Sequence, residues 1–164
     1  AWPLMIRDTP SWQHRLSWNV FDSPFGAAFY RYARRSQFLR SFSTRQLFAT
    51  ADGVDEEWLA LLQEGAKNPA SRHAVFAFLA GFWRQDYTAK MAAMQQPTLV
   101  VMGDRASSIS REGKQETPAE RIADYLKCLP KGESVTISGR NVLPYESSVE
   151  FVRAIAPFIQ RLHS

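Results

Sequence analysis

Two short apolar runs with an amphipathic stretch between them, over residues 97–138, constrain the fold more than any other feature of the chain. The run "PTLVVMGD" (97–104) is continuously apolar behind a proline, the pattern of a strand buried on both faces of a parallel sheet. Thr117 and Pro118 then open a helix in which Ile122, Tyr125, Leu126 and Leu129 make one stripe, and "LPKGE" ends it. "SVTIS" (134–138) is a second strand. The closing stretch "SSVEFVRAIAPFIQRLH" is a helix with Phe151, Val152, Ile155, Phe158, Ile159 and Leu162 expected to face inward. A helical crossover between consecutive strands implies a right-handed parallel connection. The expectation is an α/β chain with parallel strands at 98–103 and 134–138 and a helix over 118–129.

Two parallel strands make a poor sheet by themselves, because each leaves an edge that an open fold must pair or cover. Further strands are expected from a missing N-terminal half or from another polypeptide. The first residue is Ala1, and "AWPLMIRDTPSW" lacks the basic start and long apolar stretch of a signal peptide, so a processed or excerpted chain is expected.

Before residue 95 the pattern is helical throughout. Helix starts are marked at Thr9-Pro10, Ser23-Pro24, Ser36, Asp55 and Pro69. Trp58, Leu59, Leu61 and Leu62 form one apolar face, and His73, Phe76, Leu79, Phe82 and Trp83 another. The chain therefore divides into a helical region, 1–95, with no strand over 11–94, and an α/β unit, 96–164.

With 45% apolar and 22% charged residues the chain is globular. One cysteine, Cys128, excludes an internal disulfide or a cysteine metal cluster and suits a reducing compartment. No apolar run reaches the roughly 18 residues of a membrane span. Residues 1–50 carry seven arginines against two aspartates, net +5, and eleven of the 21 aromatics. That first third reads as a solvated arginine face over an aromatic core, with attraction to an anionic surface as the alternative. The polar stretch "GDRASSISREGKQE" has no G-x-x-x-x-G-K-[ST] pattern and is a surface loop. Neither cofactor nor metal is called for, and nucleic-acid motifs are absent, leaving only the non-specific binding that a pI near 9.5 provides.

In order and spacing, "PTLVVMGDR", the helix near "AERIADYLKCLP", "ESVTISG", the loop "GRNVLPYES" and "FVRAIAPFI" resemble the last two strands and helices of an α/β-hydrolase. In that family a helical cap precedes this unit, as residues 11–94 do here. The wording "FYRYARRSQFLRSF" is similar to members from photosynthetic organisms. The resemblance implies the C-terminal half of an α/β-hydrolase-like sheet beneath a cap, located in the cytoplasm or the plastid stroma.

Acyl transfer in that family needs an exposed nucleophile, a histidine, an orienting carboxylate and an oxyanion hole. The nucleophile belongs in a G-x-S-x-G elbow, and no two of the eight glycines stand four residues apart. The family's acid position falls on Ala106 in "GDRASS", which leaves Asp104 as the carboxylate of that loop. The histidine position in "GRNVLPYE" falls on Val142, or on Pro144 in a register moved by two. His14, His73 and His163 read as helix-face or terminal residues. Asn141 has no useful basicity, and Tyr145, with a phenol pKa near 10, is a poor base at neutral pH.

Three functions remain open. The first is a non-catalytic small-molecule-binding or interaction module, a pseudoenzyme, with an apolar ligand held between cap and sheet by a subset of Trp18, Phe21, Phe29, Phe82, Trp83 and Tyr145. The second is an esterase-like hydrolase of an apolar ester with a rearranged triad that uses Asp104. The third is a membrane-surface protein working through its basic aromatic region. Expected partners are the apolar ligand and the missing half or another polypeptide, or a second copy in a homo-oligomer.

Overall fold

A computed structural model describes residues 10–107 and 116–163. Trp2, Arg7, Asp8 and Thr9, and positions 108–115 of the serine-rich loop, lie outside the described residues.

The α/β unit forms as its apolar pattern dictates. Strand β1 (Thr98–Gly103) pairs in parallel with β2 (Gly132–Ile137), with Thr98 opposite Gly132 and Gly103 opposite Ile137. Between them runs one helix, Pro118–Cys128, started by a full capping box. Thr117 Oγ1 accepts from the Glu120 backbone N–H at 3.2 Å, and the Glu120 carboxylate accepts from the Thr117 N–H at 2.7 Å. A long helix, Ser148–His163, closes the chain and packs on both strands. β2 starts two residues before the expected Ser134. Gly132 and Glu133 find ladder partners in Thr98 and Leu99, and the β1 register extends pairing beyond the apolar core of the strand.

The inward stripe of the last helix is only half realised. Phe151, Ile155 and Phe158 are partly buried, whereas Val152, Ile159 and Leu162 are exposed. A sheet of two strands, spaced about 4.8 Å apart, is too narrow to cover both ridges of a helix.

The region before β1 contains no strand among the described residues. Numbered in chain order, its helices are α1 (Ser11–Phe21), α2 (Pro24–Ala33), α3 (Ser36–Phe42), α4 (Glu56–Gly65), α5 (Arg72–Leu79) and α6 (Thr88–Ala92), so the crossover helix is α7, a short helix Leu143–Glu146 is α8, and the last is α9. A single π-helical turn, Ser43–Leu47, extends α3. α4 starts where Asp55 accepts from the Trp58 N–H at 2.8 Å, and Pro69 begins a 3₁₀ turn that leads into α5. The expected apolar faces are trimmed. Leu61 lies on the far side of Trp58 from buried Leu59, and Leu79 and Phe82 are exposed while Phe76 is buried. The best-packed core is the cluster Phe48, Val54 and Leu59, joined by Leu39, Leu47, Trp58, Val142 and Tyr145. It sits where the helical region meets the loop after β2.

Candidate functional site

Three backbone segments converge at the carboxyl ends of the strands: residues 103–107 after β1, residues 138–147 after β2, and the turn 43–49. The first two are in backbone contact. A Cβ on Gly103 would lie 2.4 Å from the Gly139 carbonyl oxygen, and Gly139 itself takes φ +130°, a value that favours glycine. Asp104 continues the ladder by donating its N–H to the Ile137 carbonyl (2.9 Å), and its Oδ1 accepts from the Gly139 N–H at 3.0 Å. The side chain is exposed and fastens one strand end to the other.

The third segment is clasped by the loop after β2. Arg140 donates from Nη1 to the carbonyls of Arg45 (2.6 Å) and Phe48 (3.4 Å), and from Nε and Nη2 to Ser107 Oγ at 2.9 and 2.7 Å. Asn141 donates its side-chain amide to Gln46 O (2.7 Å) and Ser107 O (3.0 Å), and its backbone N–H to Leu47 O (3.0 Å). Glu146 accepts from the N–H groups of Ala49 and Arg140. Five successive residues, 45–49, thus have a main-chain group bound by residues 140, 141 and 146. The carbonyls at the end of a helical turn have no intrahelical partner, so donors from elsewhere must satisfy them.

Val142 enters this arrangement as packing. It lies against the Phe48–Val54–Leu59 cluster, and no proton acceptor stands at its position. Tyr145 packs beside it, with its ring 5.0 Å from Trp58 and 6.1 Å from Phe48, and donates its hydroxyl to Asp55 Oδ1 at 2.8 Å. That hydrogen bond to a carboxylate is the main reason the phenol is pushed up to about 12. Asp55 is held below its ordinary value, first by the Trp58 N–H and then by Tyr145. A phenol locked as a donor does not serve as a base at neutral pH.

The three histidines are held elsewhere. His14 Nδ1 donates to the Ala80 carbonyl (2.7 Å), His73 Nδ1 lies 3.6 Å from Asp22, and His163 Nδ1 donates to the carbonyl four residues back in α9. The aromatic residues singled out in the sequence fall into several groups. Trp18 and Phe82 meet edge to face at 5.8 Å, Phe21 and Phe29 both approach Phe76, Trp83 stacks on Phe78 at 5.4 Å, and Tyr145 belongs to the separate cluster just described.

A cleft of about 210 Å³ opens at the end of β1, lined among others by Met102, Ala106, Arg121, Tyr125, Arg140 and Asn141. Arg121 is only 5% exposed and pairs with Glu116 at 3.3 Å. Burial pushes the Tyr125 phenol up, against the nearby Arg121 charge. Among the described residues the lining offers cationic and amide donors for holding a small molecule but no nucleophile and no base. The sequence reading missed Arg121 and Arg140. The available signal was Arg121 standing one turn before Tyr125 at the edge of an apolar stripe.

No protein-family model and no curated protein matches the chain. Among solved structures, it is similar to a thermophilic esterase from Thermogutta terrifontis, determined with malate bound, at 18% identity and a TM-score of 0.62. The match covers 98% of this chain and 54% of the esterase, so the chain spans about half the length of that enzyme. At this identity the likeness is one of fold. The likeness extends over the helical region and the parallel β-α-β-α unit of this chain alike, which fits an α/β-hydrolase-like architecture.

Proposed function

We propose that this α/β-hydrolase-like chain belongs to a non-catalytic module, with residues 1–95 as a cap and 96–164 as the C-terminal part of the core, that binds a small, largely apolar molecule. The observation that carries the reading is the state of the loop after β2. Val142 is packed into an apolar cluster, while Arg140, Asn141 and Glu146 hold the turn 45–49. A loop that delivers a catalytic base must leave its side chain facing the substrate; this one faces the helical region. In this reading Asp104 ties strand ends together, and further polypeptide completes the sheet.

Loss of one triad member removes about 10⁴-fold or more of the rate in enzymes of this chemistry. The test is a panel of short-chain and medium-chain esters offered to the full-length protein, to Val142→His and to Ala106→Asp/Val142→His. The expected result for the unmodified protein is negligible turnover together with saturable binding of an apolar fluorescent probe, weakened by Phe29→Ala or Trp83→Ala. Robust turnover abolished by Asp104→Ala would establish the rearranged-triad hydrolase instead.

A further inference from the structure

A globular helix normally buries one face and shows a polar one. α1 departs from this rule. His14, Trp18 and Phe21 lie on the side turned to α5 and the residues after it, where their rings meet those of Phe82, His73 and Phe76. Roughly half a turn away, by the 3.6-residue period, Trp12, Leu16 and Val20 recur every fourth residue at 61%, 57% and 58% exposure. α2 repeats the pattern. Gly26 and Tyr30 are buried, while Phe25, at 84% exposure, Phe29 and Tyr32 are exposed. The turn from α1 into α2 is tight enough to require glycine at residue 26, where a Cβ would lie 1.8 Å from the Phe21 carbonyl oxygen.

The same segment is strongly cationic. Residues 10–50 hold six arginines and one acid, Asp22. Arg15, Arg31 and Arg34 are exposed and form no ion pair with an acid among the described residues, and Arg35 lies 5.6 Å over the Tyr32 ring. Exposed Trp, Phe and Leu on a helix face, flanked by arginine, is the composition of helices that lie in the headgroup layer of an anionic bilayer. A second copy of the chain fits this face less well, because self-pairing would set arginine against arginine.

We propose that the outer face of α1 and α2 docks on an anionic lipid surface, with Trp12, Leu16, Val20 and Phe25 entering the interface and Arg15, Arg31 and Arg34 meeting the headgroups. No described helix is long and apolar enough to cross a membrane, so the attachment is peripheral. The proposal goes beyond small-molecule binding and does not depend on it.

The test is flotation of the full-length protein with vesicles of phosphatidylcholine alone and of phosphatidylcholine with 30% phosphatidylglycerol (about the anionic share that sets up the surface potential). Binding is expected to the anionic vesicles only and to fall with salt. Arg31→Gln and Arg34→Gln should each weaken it about fivefold, and Leu16→Asp/Phe25→Asp about tenfold or more. Both sites are exposed, so circular dichroism should be unchanged. Equal binding to both vesicle types, or binding that survives Leu16→Asp/Phe25→Asp, overturns the proposal. So does an absence of vesicle binding accompanied by a lipid-free oligomer that the same double variant breaks into monomers, which would identify a second copy as the occupant.

Discussion

Tyr145 and Asp55 are ninety positions apart and share one hydrogen bond of 2.8 Å, which gives the interface between the loop after β2 and the start of α4 a pH signature. The raised Tyr145 value means that the folded chain retains its phenolic proton after the unfolded chain has lost it. Its contribution is therefore fully present below about pH 10, the ordinary phenol value, and disappears as pH climbs toward 12. Asp55 acts with the opposite sign at the other end of the scale: its depressed value contributes stability above about pH 4 and loses it as pH falls further. Tyr145→Phe keeps the ring against Trp58 and Phe48 but removes the titrating group. Thermal melts from pH 9 to 12 are expected to fall less steeply for this variant than for the unmodified protein, and parallel curves would show that the bond does not form in solution. This link has no sequence signature, because a tyrosine in a loop and an N-capping aspartate each have a sufficient local explanation of their own.

At the scale of elements, local signals were legible and long-range ones were not. Asp55 and Thr117 mark helix starts because capping needs only atoms within four residues, and both helices begin where those residues predict, while Ser23 precedes its helix without capping it and donates its hydroxyl to the Val20 carbonyl instead. The β-α-β order and parallel pairing followed from the crossover alone. The clasp on residues 45–49 was hidden, since Arg140 and Asn141 reach carbonyls 95 positions away. The packing of Val142 against the Phe48–Val54–Leu59 cluster was hidden for the same reason. Asn141 gives the sharpest test of the clasp. Asn141→Asp substitutes an acceptor-only group that faces the carbonyls of Gln46 and Ser107, so it loses two hydrogen bonds and adds repulsion. The expected loss is about 1–2 kcal/mol, read as a lower urea midpoint with unchanged slope, and Asn141→Ala should fall between this variant and the unmodified protein. An unaltered midpoint for both variants would mean that the clasp contributes nothing to holding the helical region on the strands.

At the scale of the whole molecule, packing is concentrated at one junction and sparse beyond it. The cluster around Phe48 is well buried, yet neither edge of the two-stranded sheet away from the β1–β2 pairing has a strand partner among the described residues. The ridge Val152, Ile159 and Leu162 of α9 lies bare beside that sheet. Unpaired edges and adjoining apolar ridges recruit other chains. The esterase of similar fold has nearly twice the length over which such a sheet can be built. The 164-residue polypeptide is therefore expected to self-associate at micromolar concentration, sedimenting well above its 18.7 kDa mass. Val152→Lys/Ile159→Lys places charge on the bare ridge and should shift the distribution toward monomer, whereas Leu16→Asp/Phe25→Asp, on the face proposed for lipid, should leave it unchanged. A monodisperse monomer for the unmodified chain would mean that two strands and one covered helix ridge are sufficient, and that the need for further polypeptide inferred from the sheet edges is wrong.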